Sequence, residues 1–206
     1  RLRTFVEADS LVAVAERLAP RWPVPIVRRG RLALGRASLS EPAAPALLDT
    51  ARARADRALE LAPGDADALF LRGAERFLRL ALLDPPGAGE GTTVGPDTLA
   101  TWVEESERAL RASLAADPER AEAWATLGQL LILTGRFAEA QQATERAFEA
   151  DPWLSDAENI LFQLCGTAME RGDVADVDRY CAEAYRRYPT NPSVVFLQLW
   201  VPAILA

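Results

Sequence analysis

The side chains that could do chemistry fall into four groups. Acids gather as Glu104, Glu105 and Glu107, and again as Asp173, Asp176 and Asp178. Paired carboxylates can exchange protons or hold calcium. Neither run has the calcium-loop spacing, with its central Gly and terminal Glu. Asp173 and Asp176 read instead as first-turn acids set against the positive end of a helix. The glycines between 87 and 95 lack a G-x-G-x-x-G register and a following Lys, so they do not read as a phosphate cradle. Arginines cluster as Arg28, Arg29, Arg31 and Arg36. A guanidinium fork matches a carboxylate with two hydrogen bonds, which would make an anion site; the preferred reading is a solvated face paired with the abundant acids. Cys165 and Cys181 fall on neighbouring helical segments. The preferred reading is two small buried hydrophobes; the alternative is a disulfide, which would imply an oxidising compartment.

The chain has no His, which removes the commonest general base and the commonest metal ligand together. No nucleophile–base pair stands out either. The sequence therefore offers no catalytic residue, no metal site and no cofactor. The net charge of −7 and pI near 4.8 argue against a nucleic-acid binder, which needs a basic face. The longest apolar run, 194–206, is too short to span a membrane and is broken by Pro202. The sequence starts at Arg1 with no signal-peptide pattern, and reads as a piece of a larger or processed protein. Compartment is left open, with the cytoplasm preferred and the periplasm following if the cysteines are bridged.

The elements that would position these groups are helices. Half the residues are apolar, good helix formers dominate and β-branched residues are sparse. Apolar spacing and helix breakers predict helices over 3–19, 24–38, 46–61, 65–83, 98–116, 119–133, 136–150, 153–171, 173–187 and 191–205. Pro23 and Pro25 suit a helix start, where a missing N–H costs little. Gly135 and Gly172 suit the residue just past a helix, where a left-handed backbone is needed. Segments 40–45 and 84–97 read as loops, the second long and rich in Gly and Pro.

One stretch orders the rest. Residues 121–154 carry Trp124, Leu127, Gly128, Leu131, Gly135, Ala140, Ala147 and Pro152. These types at these spacings resemble the tetratricopeptide repeat, a helix–turn–helix unit of about 34 residues. Terminal prolines mark further copies at Pro20, Pro63, Pro118, Pro152 and Pro189. Five residues before each stands a small residue: Ala15, Ala58, Ser113, Ala147 and Ala184. Ten residues after each stand Gly30, Gly73, Gly128, Phe162 and Leu199. The resemblance, of a kind expected in a bacterial protein, implies an all-α, right-handed α-α superhelix of antiparallel helix pairs with about four to five repeats. The expected single array holds a half repeat at 3–19, repeats near 22–63, 65–118, 119–152 and 153–189, and a terminal helix at 191–205.

The resemblance also implies a function: a non-catalytic scaffold that takes a peptide or partner domain in the groove lined by the first helix of each repeat. Mapped here, the groove holds Val27, Arg31, Phe70 and Phe77, then Gln129, Asn159, Gln163, Phe196 and Trp200. The alternative is a ligand-sensing or regulatory module of a larger signalling protein, such as a kinase or transcription regulator. The chain lacks the lysines that repeats gripping a C-terminal carboxylate use, so that subtype is disfavoured. Phe196, Trp200 and their apolar neighbours on the final helix look too exposed for a solvated cap, and imply burial against further chain, the array itself or a second copy.

Overall fold

A computed structural model describes residues 2–39, 41–83, 94–154, 157–192 and 194–195. The described residues form an all-α helical-repeat solenoid. In order they are α1 (Leu2–Leu18), α2 (Pro23–Ala37), α3 (Ala44–Leu61), α4 (Ala66–Leu83), α5 (Pro96–Ala116), α6 (Ala121–Leu133), α7 (Phe137–Ala150), α8 (Ala157–Arg171) and α9 (Val174–Arg187). The chain divides into two compact units, Arg1–Pro118 and Glu119–Ala206.

In the first unit each helix packs on the next, from α1 through α5. Its core joins Ile26, Val27 and Ala33 of α2 to Ala51, Ala55 and Ala58 of α3 and Leu71 of α4. The three alanines are fully buried, as their shared helical face predicts. In the second unit α6 to α9 pack in the same serial way, around Ile160, Leu161, Leu164, Val177 and Tyr180.

The turns follow from single residues. Gly135 and Gly172 have φ of 73° and 69°, and are the positive-φ residues among those described. Each closes its helix with paired bonds: Gly135 N–H to Ile132 O and Arg136 N–H to Leu131 O, Gly172 N–H to Met169 O and Asp173 N–H to Ala168 O. Asp173 then caps α9 by accepting from Asp176 N–H at 3.2 Å.

Several boundaries differ from expectation. A 3-10 turn, Glu41–Ala43, runs straight into α3, which takes up Ala44 and Pro45 from the expected loop. Pro45 is tolerated because it sits in the first turn, where N–H groups lack helical acceptors. For the same reason α5 starts at Pro96. Helix α8 starts later than the expected 153. Asp151 accepts from the N–H of Trp153 through its side chain and of Leu154 through its carbonyl, which holds 151–154 in a turn.

The cysteines are a correction. Cys165 and Cys181 are bonded to each other, with Cα atoms 5.0 Å apart, and are not two free hydrophobes. Neighbouring helix faces bring the two close enough, which spacing in sequence cannot decide. The final helix is described only at its start, where Asn191 caps it by accepting from Val194 N–H at 3.1 Å. The self-association expected of that helix, with Phe196 and Trp200, lies outside the described residues, as does most of the long 84–97 loop. No described helix is long and apolar enough to cross a membrane.

Candidate functional site

In the first unit, α1, α2 and the start of α4 enclose a cleft of about 460 Å³. Val12, Val24, Val27 and Leu32 make its apolar wall, while Arg28, Arg31, Asp65 and Asp67 supply charge. Two expected groove residues, Val27 and Arg31, thus line one cavity. Phe70 adjoins it: the Arg31 guanidinium lies over the Phe70 ring, 5.7 Å from its centroid, and 3.8 Å from Asp67. Phe70 is largely buried and Phe77, two turns on along the same face of α4, is half-buried.

The wall that α1 contributes is fixed by ion pairs. Arg29 bonds Asp9 at 2.8 Å and Glu16 at 2.8 Å, and Arg54 of α3 also bonds Glu16. The bond from Arg29 holds the Asp9 carboxyl below its ordinary range. For Glu16, burial pushes the other way, but the bonds from Arg29 and Arg54 outweigh it and the carboxyl is again lowered. The expected arginine cluster therefore divides. Arg29 clamps α1 to α2, Arg31 pairs with Asp67, and Arg28 stays exposed at the cleft with no acidic partner among the described residues. Asp65 caps α4, accepting from Ala68 N–H at 2.8 Å.

In the second unit the expected groove residues differ in access. Gln129 is half-buried, Asn159 is exposed, and Gln163 is only 8% exposed. The Gln163 Oε1 is a buried acceptor with no hydrogen-bond donor among the described residues. The amide type was legible in the sequence; its unmet acceptor was not.

A feature that the sequence reading missed lies on the other side of α4. Glu75 is fully buried among arginines: Arg79 donates to it at 2.7 Å, and Arg76 and Arg52 stand 3.6 and 3.8 Å away. Glu75 sits four residues before Arg79, which was the available signal. Arg52 arrives from α3, so only the packing completes the group. Among the described residues no cluster of three or more His, Cys, Asp or Glu could hold a metal.

Comparison with known proteins places these observations. A tetratricopeptide repeat family model matches residues 103–158. No curated protein sequence matches the chain. Among solved structures the chain is similar to a thermophilic TPR protein of Thermus thermophilus, at 15% identity and a TM-score of 0.66, covering 99% of this chain and 92% of that one. It is also similar to Pseudomonas aeruginosa pilF, at 17% identity, TM-score 0.63, 87% and 67% coverage. MamA follows at 14% identity, TM-score 0.60, 90% and 89% coverage. At these identities the likeness is one of fold.

Proposed function

We propose that this chain, whose residues 103–158 match the tetratricopeptide repeat family, is a non-catalytic interaction module of that family that takes a partner segment along the face of Val27, Arg31, Phe70 and Phe77. Proteins of this family generally mediate protein–protein interaction and are typically non-catalytic scaffolds. The observation that carries the reading is the α1–α2–α4 cleft, where an apolar wall stands beside Arg28, a cation without an acidic partner among the described residues. Such a cleft suits a peptide with an apolar anchor next to an acid. The largely buried Val27 and Phe70 would form its wall, while Val24, Arg28 and Arg31 would make the contacts. Within the second unit, taken by itself, Gln129, Asn159 and Gln163 would offer polar contacts to a partner, with the unmet Gln163 acceptor suited to a peptide N–H once exposed. The Cys165–Cys181 bridge favours an oxidising compartment.

Selection from a displayed random-peptide library tests this. The expected winners share an apolar residue flanked by an acid. Val24 is 37% exposed, so Val24→Asp should remove their binding without shifting the unfolding midpoint. If winners bind the Val24→Asp chain as tightly as the parent, the reading is wrong.

A further inference from the structure

A second cleft, of about 210 Å³, lies between α3 and α5 over the back of α4. At 100° per residue, Leu69, Arg72 and Arg76 fall on a different stripe of α4, roughly 80–160° around the helix from Phe70 and Phe77. Arg52 of α3, Arg72 of α4 and Arg108 of α5 line this cleft, and Leu69, Ala109 and Ala112 give it an apolar floor. Two of the three guanidinium groups are held in place. Arg52 bonds Asp56 at 3.3 Å and Glu105 at 3.5 Å, and Arg72 bonds Asp56 as well. Arg76 steadies Glu105 from below with a 2.5 Å bond. Burial would raise the Glu105 carboxyl, yet that bond and the field of Arg76 and Arg52 keep it lowered and ionised. Arg108 is exposed and has no acidic partner among the described residues. Five cations, Arg52, Arg72, Arg76, Arg79 and Arg108, thus stand against four anions, Asp49, Asp56, Glu75 and Glu105. The excess is one positive charge, and it sits at the cleft mouth.

We propose that this cleft is an oxyanion site that takes a carboxylate side chain from an acidic segment of a partner. Arg108 supplies the fork donors, Arg72 adds the Nη1 group that its bonds to Asp56 leave over, and Leu69, Ala109 and Ala112 cover the methylenes beside the carboxylate. One surplus positive charge matches a carboxylate better than a dianionic phosphate, whose second charge would meet Asp56 and Glu105. The site is separate from the α1–α2–α4 cleft, so each stands or falls alone.

The test is a titration of the isotopically labelled chain with a blocked glutamate–leucine–glutamate peptide, followed through the arginine Nε–H resonances. The resonances of Arg72 and Arg108 should shift, the glutamine counterpart of the peptide should leave them in place, and Arg108→Glu should weaken binding about tenfold or more. Arg57→Glu, on an exposed ion pair outside both clefts, should leave the Arg72 and Arg108 shifts in place. Arg108 is solvent-exposed, so an unchanged unfolding midpoint for Arg108→Glu separates lost binding from lost fold; Arg108→Met provides a milder second variant expected to weaken binding in the same direction. Binding that survives both Arg108 variants overturns the site. Inorganic phosphate shifting the same resonances at lower concentration than the peptide overturns the carboxylate assignment.

Discussion

Replacing Gly73 by Ala puts a methyl group into α5. A Cβ built at Gly73 would stand 2.7 Å from Leu110 Cγ, 3.0 Å from its Cδ2 and 3.1 Å from its backbone N. Leu110 is fully buried, and a backbone atom cannot step aside without moving its helix. The Gly73 carbonyl is also tied to α5, accepting from Ser106 Oγ at 2.9 Å. Overpacking of this kind costs about 1–3 kcal/mol. Ala is a better helix former than Gly, which returns about 0.5–1 kcal/mol. The net expectation is a loss of about 1.5 kcal/mol, or roughly 3–6 °C in Tm for a chain of this size. Gly166, inside α8, is the control: a Cβ there meets nothing within 4 Å. Gly166→Ala should therefore gain about 0.5–1 kcal/mol. Both are read from thermal and urea unfolding followed by helical circular dichroism. A Gly73→Ala chain as stable as the parent, or a Gly166→Ala chain that loses as much as Gly73→Ala, refutes the close-approach argument.

Three further outcomes follow from the same structure. Glu75→Ala takes one buried acid from Arg52, Arg76 and Arg79, which keep Asp56, Glu105 and Asp49 as partners, and should cost about 1–3 kcal/mol in urea unfolding, against little for Glu60→Ala on the exposed Arg57 pair. The Cys165–Cys181 bridge closes a separation of 16 residues, worth about 3 kcal/mol, so the denatured, unreduced chain should show no reactive thiol and should lose stability on reduction. Two reactive thiols before reduction would contradict the bridge. The lowered carboxyls of Asp9 and Glu16 stabilise the fold above their unfolded pKa values, and that stability goes as pH falls through the folded ones. Protection of the α1 amides, taken relative to the intrinsic exchange rate at each pH, should therefore fall as pH drops below the ordinary carboxylate range of about 4, and Arg29→Met should flatten that dependence. An unchanged profile in Arg29→Met would remove the clamp from the account.

Helix order was legible because each helix advertises its own limits. Pro23, Gly135, Gly172 and Pro152 act on backbone within a few residues, so a local reading finds them. Small residues such as Ala51, Ala55, Ala58 and Gly73 also marked the close contacts, since only they allow two helix axes to approach. The start of α8 was misread because Asp151 holds the following turn through both side chain and carbonyl, a competition that apolar spacing does not register. The chemistry was harder to read. The four arginines from 28 to 36 look alike in sequence, yet Arg29 is a clamp, Arg31 is stacked and paired, and Arg28 has no acidic partner among the described residues. That division depends on Asp9, Glu16, Phe70 and Asp67, which other helices bring in.

By itself the sequence determined an all-α chain of paired helices, its resemblance to a repeat family, and the exclusion of any His-based chemistry. Those properties rest on composition, 3.6-residue periodicity and turn residues, all short-range along the chain. Only the tertiary structure decided that Cys165 meets Cys181, that Glu75 is buried among arginines from two helices, and which arginines have no acidic partner among the described residues. Each depends on residues distant in sequence arriving at one place, and ion pairing or bonding acts over a few ångströms in space whatever the separation along the chain.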